Sequence, residues 1–349
     1  MPTSMRSRGR PEVTAVIPTC NRRPIALRCV QALLDQELPP NMLEIILVDD
    51  GSTDGTSQAV GALPVPPHSS LVCIRQPNMG ANAARNRGLL AANGRIILFL
   101  NDDSIVEPGM VAEHIRMHDR HPEPHAAVLG ALRDCPTQPP SIFNDLHRNA
   151  GFDALPPDQE LDWHRFYTYN VSVKSAFLGG DRFDARLRWH EDIELGQRLA
   201  RRGLTIFYAP AALAHHHHPM SETGYLAMAD REGSALAAWF VAKPDLKDEL
   251  VALGLRSARL RTRALRHILA DSLIWPRSWP AWLAAARGLI QVNPRLAVVL
   301  YHKLYQWRVR RAVDRGLPGD LSPFQPAGAE WIEHGSKNRP IRQSLLRNV

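Results

Sequence analysis

Within the first hundred residues, short apolar runs alternate with stretches of helical spacing, and three of the runs stop abruptly at polar clusters. The runs are 13–17 (VTAVI), 43–48 (LEIILV), 70–74 (SLVCI) and 96–100 (IILFL). A run this short and this apolar reads as a strand buried on both faces, the kind found in parallel sheets covered by helices. Between the first two, Ile25, Leu27, Val30, Leu33 and Leu34 keep helical spacing, with Asn21 at the expected cap and Pro24 in the first turn. Pro18 is expected to end the first strand. Residues 64–67 read as a loop and 78–92 as a further helix. The alternation implies an α/β fold with a mainly parallel central sheet.

In such a sheet, ligands bind beyond the carboxyl ends of the strands. At that edge the chain places Pro18 to Asn21, Asp49-Asp50-Gly51-Ser52-Thr53-Asp54 and Asn101-Asp102-Asp103-Ser104. Taken singly, such residues are ordinary turn formers. Three clusters on one edge point to a ligand site. Section 105–180 is rich in Pro and reads mostly as loop. A second block follows, Gly179-Gly180-Asp181 and then Trp189-His190-Glu191-Asp192-Ile193-Glu194-Leu195-Gly196. Residues 191–202 read as a helix with Leu195 and Leu199 on one face and Gly203 as its stop. Residues 204–208 read as a strand, and Pro210 leads to His215-His216-His217-His218.

Asp102 and Asp103 are adjacent carboxylates at a strand end. Hard divalent cations such as Mn2+ or Mg2+ take oxygen ligands and are held by one or two carboxylates plus substrate phosphates. Asp103 is the expected metal ligand. Asp102, pointing the other way in an extended segment, is expected to accept from a ribose. The four histidines either add an imidazole ligand or form an exposed polar loop. The four cysteines (Cys20, Cys29, Cys73, Cys135) lack metal-type pairing and read as reduced thiols. Glu191 and Asp192 open a helix, where a carboxylate serves either as a cap stabilised by the dipole or as a general base.

In their order, the 13–21 segment, Asp49 to Asp54, Asn78-Met79-Gly80 with Arg85-Asn86-Arg87-Gly88, Asn101-Asp102-Asp103 and His190 to Leu195 resemble the family 2 glycosyltransferases, inverting enzymes of the GT-A fold that use nucleotide-diphosphate sugars. The resemblance covers about residues 12–220. It implies that Pro18, Cys20 and Asp50 line the base pocket, with Asp50 accepting from a uracil N3–H. Asn78 and Arg85 would lie near the ribose or diphosphate, Asp102 at the ribose and Asp103 on the metal. It further implies Asp192 as catalytic base with Glu191 beside it, and one histidine on the metal, His216 first and His218 second. The chain departs from the pattern at Cys20, where the family usually has an aromatic residue, and at Asn101, where its metal motif often starts with Asp. The implied partners are a nucleotide-sugar donor, with a UDP-sugar favoured, and a glycan or lipid-linked acceptor.

Charge is unevenly placed. Between residues 256 and 315 thirteen Lys/Arg face only Asp271 and Asp314, while the whole chain carries +7, so the remainder is net acidic. That split argues against nucleic acid lying along the surface and for a separate attachment region near the C-terminus. The expected division is a flexible 1–11, a GT-A catalytic domain over 12–220 and a basic α-helical extension over 221–349. In the extension, Leu265, Ile268, Leu269 and Ser272 form one stripe near Arg259, Arg263 and Arg266. Leu296, Val299, Leu300, Leu304 and Trp307 form a second, with Trp275, Trp279 and Trp282 between them. Two readings stand: peripheral contact with an anionic bilayer, or packing against the catalytic domain or another subunit. No apolar run approaches the ~20 residues of a membrane span, and the N-terminus lacks the apolar core of a signal peptide. The expected location is the cytoplasm, with the inner membrane face as the place of attachment. Two other functions remain open: a nucleotidyltransferase, for which residues 18–23 lack the usual Gly-rich, Lys-containing loop, and a non-catalytic nucleotide-sugar or polysaccharide binding protein.

Overall fold

The computed structural model describes residues 10–139, 141–147, 155–187, 189–242, 274 and 276–316. The chain divides into two compact units, Met1–Gln138 with Phe152–His218, and Pro139–Gly151 with Pro219–Val349.

The first unit begins β1 (Val13–Thr19), α1 (Arg23–Leu34), β2 (Leu43–Asp50), α2 (Thr56–Gly61), β3 (Ser69–Gln76), α3 (Ala81–Ala91), β4 (Ile96–Leu100), β5 (Ser104–Val106), α4 (Met110–Arg120) and β6 (Ala126–Asp134). After α5 (Ile142–His147), which belongs to the other unit, it resumes with β7 (Glu160–Leu161), a 3-10 turn (Trp163–Arg165), β8 (Asn170–Lys174), α6 (Ser175–Leu178), α7 (Glu191–Ala200) and β9 (Thr205–His216). The strands form a single sheet in the order β3-β2-β1-β4-β8-β6-β9-β5, with β7 on β9. The long ladders are parallel, β1–β2, β2–β3 and β6–β9, whereas β8 enters antiparallel between β4 and β6. The result is the expected α/β sheet of the GT-A fold.

Burial on both faces explains the unbroken apolar runs of β1, β2 and β4, whereas β3, at the sheet edge, is half-buried to exposed. Ile96, Leu98 and Leu100 pack with Ala26, Val30 and Leu33 of α1 on one face. Ile97 and Phe99 join Val171, Val173 and the α7 residues Leu195 and Leu199 on the other. At roughly 25 cal/mol per Å² of apolar surface, these two layers supply the main stabilisation of the unit.

Several local expectations are corrected. β1 does not stop at Pro18 but runs to Thr19. Its ladder to β4 ends at Val16, so Pro18 lies where one side of the strand has no β4 partner and its missing N–H is tolerated. Asn21 is not the helix cap: Arg22 holds that position, and Asn21 adopts φ 52°. The Asn21 side chain instead accepts from the Thr53 N–H at 2.8 Å, while Asp54 accepts from the Arg23 N–H at 2.9 Å. α3 begins at Ala81, after the loop through Gly80, and α7 ends at Ala200. β9 continues through Pro210 to His216, because its register against β6 slips after Gly130/Ala209 and resumes at Ala131/Leu213, leaving the proline in the irregularity. Section 105–180, read as mostly loop, holds α4, β6 and β8. Its buried helix face is polar in part, which hid it. His114 meets Ser172 Oγ at 2.8 Å and Asn170 Oδ1 at 2.9 Å, and His118 meets the same hydroxyl at 2.8 Å.

The second unit contains α8 (Glu222–Ala242), α9 (Trp279–Val292) and α10 (Pro294–Gly316) besides α5. α8 and α10 approach so closely that a Cβ on Gly233 would lie 2.6 Å from Ala312 Cβ. Trp279 stacks on Trp307 at 5.1 Å, with Arg308 over the first ring and Arg311 over the second. Of the expected second stripe, Leu304 is buried, while Leu296 and Val299 face outward. The first stripe, its arginines and Trp275 lie outside the described residues. No helix among the described residues is long and apolar enough to cross a membrane.

Candidate active site

The carboxyl ends of β1, β2 and β4 bring the three polar clusters together. Asp49 and Asp50 end β2 nearly inaccessible to solvent. Burial works against ionisation of Asp49, but hydrogen bonds from Ser52 and Ser57 hold its carboxyl below the ordinary value. Asp50 Oδ1 accepts from Gln76 Nε2 at 2.7 Å and from the Met79 N–H at 2.9 Å, and Oδ2 accepts from the Gly80 N–H at 2.7 Å. A carboxylate offers about four acceptor positions, so Asp50 anchors the β3–α3 loop and still has room for one more donor. Gly51, at φ 84°, lets this loop pass: a Cβ there would stand 2.8 Å from the Asn78 nitrogen. The exposed Asn78 side chain donates to Cys20 Sγ at 3.2 Å. Pro18, Cys20, Asp50 and Asn78 thus gather at one edge.

Asp102 and Asp103 follow β4, each 4% exposed. Asp102 accepts from Thr19 Oγ1 at 2.7 Å and from Arg22 Nη1 at 2.7 Å. Burial, reinforced by the charge of Asp103, pushes the Asp102 carboxyl up to about 6 against the pull of Arg22. Asp103 Oδ2 accepts from Arg22 Nη2 at 2.9 Å and faces His216 Nε2 at 3.6 Å and His218 Nδ1 at 3.5 Å. Burial opposes ionisation here too, but His216, His218 and Arg22 hold Asp103 well below the ordinary carboxylate value.

The histidine run is not an exposed loop. β9 pairs antiparallel with β5, His216 opposite Ser104, and alternation sends successive imidazoles apart. His215 turns to Glu107 at 2.7 Å, whereas His216 and His218 lie with parallel rings, 5.3 Å apart, beside Asp103. One ligand atom from each of Asp103, His216 and His218 lies within 4.8 Å of the others. Donors about 3.5 Å apart can share a cation at bond lengths of about 2.1 Å. Asp103 Oδ1, buried and without a hydrogen-bond partner, leaves acceptor capacity unused. These residues fit a divalent metal.

Arg85, expected near the ribose or diphosphate, is tied to protein partners beside the acidic pair. Its guanidinium, 5% exposed, donates to Asn82 at 3.2 Å, Asn101 at 2.9 Å and Glu191 at 2.9 Å. Asn101 therefore looks toward Arg85, and the amide that replaces an acid accepts from a guanidinium that Glu191 already neutralises. Asp192, half-buried at the start of α7, accepts from the Thr168 N–H at 3.3 Å and from the Ile193 N–H at 2.8 Å. Burial first, and then the charge of Glu191, push its carboxyl up to about 6, while His190 and Arg85 pull the other way. His190, immediately before, holds the left-handed conformation at φ 58°, a costly state for a residue with a side chain.

Residues 167–169 connect the two acidic pairs. The Tyr169 carbonyl accepts from Ser104 Oγ at 3.0 Å, next to Asp103, and the Thr168 N–H reaches Asp192. Tyr167 and Tyr169 stack at 5.3 Å on either side of that amide. This segment is absent from the sequence reading, as are Arg22 and Asn82, and Asn86 enters it only as part of the Arg85-to-Gly88 motif. Asn82 donates to the Leu187 carbonyl at 2.7 Å, and Asn86 exchanges two bonds with Phe183, clamping the segment ahead of α7 onto α3. Only the spacing of Asn82, Arg85 and Asn86 on one helical face hinted at it.

Residues 14–171 match the family profile described as Glycosyl transferase family 2. The chain is 28% identical over 229 residues to validoxylamine A glucosyltransferase of Streptomyces hygroscopicus subsp. limoneus, covering 56% of this chain and 49% of that protein. It spans about half, or less, of the length of the curated relatives it matches. Among solved structures, the mannosyltransferase PcManGT of Pyrobaculum calidifontis in complex with GDP-Man and Mn2+ aligns with TM-score 0.55 at 22% identity, covering 88% of this chain and 89% of that one. S. aureus TarS in complex with UDP aligns with TM-score 0.51 at 17% identity, covering 88% and 93%. At these identities the two structures speak to the fold.

Proposed function

The chain belongs to glycosyl transferase family 2 through residues 14–171, and from that premise we propose that it is a metal-dependent, inverting glycosyltransferase. In this reading it moves a sugar from a nucleotide-diphosphate sugar, a UDP-sugar by preference, to a hydroxyl of a glycan or lipid-linked acceptor. The observation that carries it is the convergence of Asp103, His216 and His218 beside a buried second carboxylate. One carboxylate with two imidazoles suits Mn2+ better than Mg2+, which prefers an all-oxygen shell.

Pro18, Cys20, Asp50 and Asn78 would receive the base, and Asp102 the ribose. A metal at Asp103, His216 and His218 supplies positive charge where the diphosphate leaves. Asp192, poised near 6, would take the proton of the acceptor hydroxyl as that oxygen attacks the anomeric carbon from the opposite face. Glu191 and Arg85 would hold α7 in place. The Tyr167–Tyr169 segment lies between the two acidic pairs, where an acceptor would have to sit. Taking residues 12–220 as the catalytic portion leaves the basic helices for attachment. The exposed Val292, Leu296 and Val299 with Arg295 favour an anionic bilayer there, which flotation with phosphatidylglycerol-containing against neutral vesicles would test.

The test of the main reading is a thermal-shift screen of UDP, GDP and ADP with and without Mn2+, followed by UDP-sugar hydrolysis by wild type and Asp192→Asn. UDP should stabilise most, and weakly without metal. Equal stabilisation by all three without metal, with no turnover, would favour a binding protein.

A further inference from the structure

Arg22 stands at the centre of the acidic pair, and nothing in the proposed chemistry uses it. Its guanidinium forks across two neighbouring carboxylates, Nη1 to Asp102 Oδ1 at 2.7 Å and Nη2 to Asp103 Oδ2 at 2.9 Å. Two adjacent acids so thoroughly buried cannot both stay ionised without a counter-charge. Arg22 is that charge. The oxygen it grips on Asp103 is also the one that faces His216 and His218. A cation held by that triad and a guanidinium on the same oxygen would stand within about 5 Å of each other, two positive groups competing for one acceptor.

We propose that Arg22 is a resident counter-cation that releases Asp103 when a divalent metal enters and then turns to the donor's diphosphate. This inference rests on the metal reading of the Asp103 triad. The local structure suits a moving arm on a fixed pivot. The pivot is held, since the Arg22 carbonyl accepts from the Ile25 and Ala26 N–H groups, and Asn21 before it is clasped to Ser52 and Thr53. The arm is not, since its side chain is 37% exposed against 6% for either aspartate. Arg85 offers the contrast: its side chain is 6% exposed and spread over three partners, so it stays. The Arg22 destination follows from the fork, which matches a pair of phosphate oxygens as well as it matches two carboxylates. Asp103 Oδ1, without a partner, lets the aspartate keep an acceptor on the protein side while Oδ2 changes hands.

The two halves of the proposal have opposite signs, which a merely structural arginine would not produce. Free Mn2+ is followed by electron paramagnetic resonance during titration of wild type, Arg22→Gln and Asp103→Asn without nucleotide, and UDP affinity is then measured by calorimetry at saturating Mn2+. Arg22→Gln should bind Mn2+ about tenfold tighter and UDP about tenfold weaker, because the competitor and the phosphate contact are lost together. Asp103→Asn should lose Mn2+ binding. Unchanged or weaker Mn2+ affinity in Arg22→Gln, with wild-type Mn2+ binding intact and an unaltered melting temperature, would overturn the inference and leave the metal reading standing. No Mn2+ binding by wild type, or wild-type affinity in Asp103→Asn, would overturn both.

Discussion

The Arg85 guanidinium donates to Glu191 Oε1 at 2.9 Å, joining residues 106 positions apart and locking the first turn of α7 to the helix that follows β3. Both side chains are largely buried, at 6% and 16% exposure, so the pair cannot be broken cheaply. Removing one partner of a buried pair costs about 3–5 kcal/mol. Arg85→Met should therefore lower the urea midpoint of the protein and, in the fraction that stays folded, cut kcat more than donor KM. Steady-state kinetics at a denaturant-free temperature well below the melting point would show this. An Arg85→Met enzyme with wild-type kcat would contradict the positioning role.

Replacing Asp192 by Asn should reduce turnover about 10²- to 10⁴-fold while leaving Mn2+-dependent UDP binding in place. Calorimetry for UDP alongside a transfer assay separates the two effects. Loss of both in a folded variant would count against a base at this position.

The rate should rise with pH through about 6, because Asp192 must be ionised to accept a proton and burial with Glu191 holds its carboxyl at that value. Glu191→Gln removes the neighbouring negative charge and also frees Arg85, both of which favour the carboxylate. The acidic limb of kcat/KM should then move to lower pH. A limb that moves upward would reverse the assignment.

Asp103→Asn should abolish the Mn2+-dependent part of UDP stabilisation, and chelation of wild type should do the same. Differential scanning fluorimetry reads both. His216→Gln and His218→Gln should each weaken it, whereas His215→Gln, whose imidazole faces Glu107, should not alter Mn2+ affinity.

His114 lies fully buried against Ser172 and Asn170, and burial depresses its pKa from the ordinary 6.5 to about 4. The folded state keeps it neutral while the unfolded chain takes up a proton below 6.5, so stability falls as pH drops from 6.5 toward 4. Between pH 7.5 and 5 this residue alone should cost about 2 kcal/mol. Urea unfolding at the two pH values, with His114→Gln as control, should show a smaller loss in the variant.

The sheet was legible because burial on both faces writes an unbroken apolar run, and β4 was bounded to the residue at 96–100. The acidic and histidine positions were legible as polar residues following strands. What stayed hidden depends on partners far along the chain. Asn21 looks like a cap, but its side chain is drawn to Thr53, and Pro210 looks like a stop until the slip against β6 makes room for it. Arg22 carries no local mark of a residue that reaches across 80 positions to an acidic pair, and the α4 face concealed itself by burying two histidines. Arg85, Asn101 and Glu191 were each singled out, but their pairing across the site was not.

The alternating directions of the histidines at the end of β9 and just beyond it carry a consequence for insertions. A frame shift of a single residue in a strand normally replaces every side chain on a face. Here one residue added ahead of His215 would move His215 and His217 into the phase now held by His216 and His218, so imidazoles would still meet Asp103. The run thus offers a second set of imidazoles one step out of phase, so this segment should tolerate a length change that would destroy a site built from two isolated histidines.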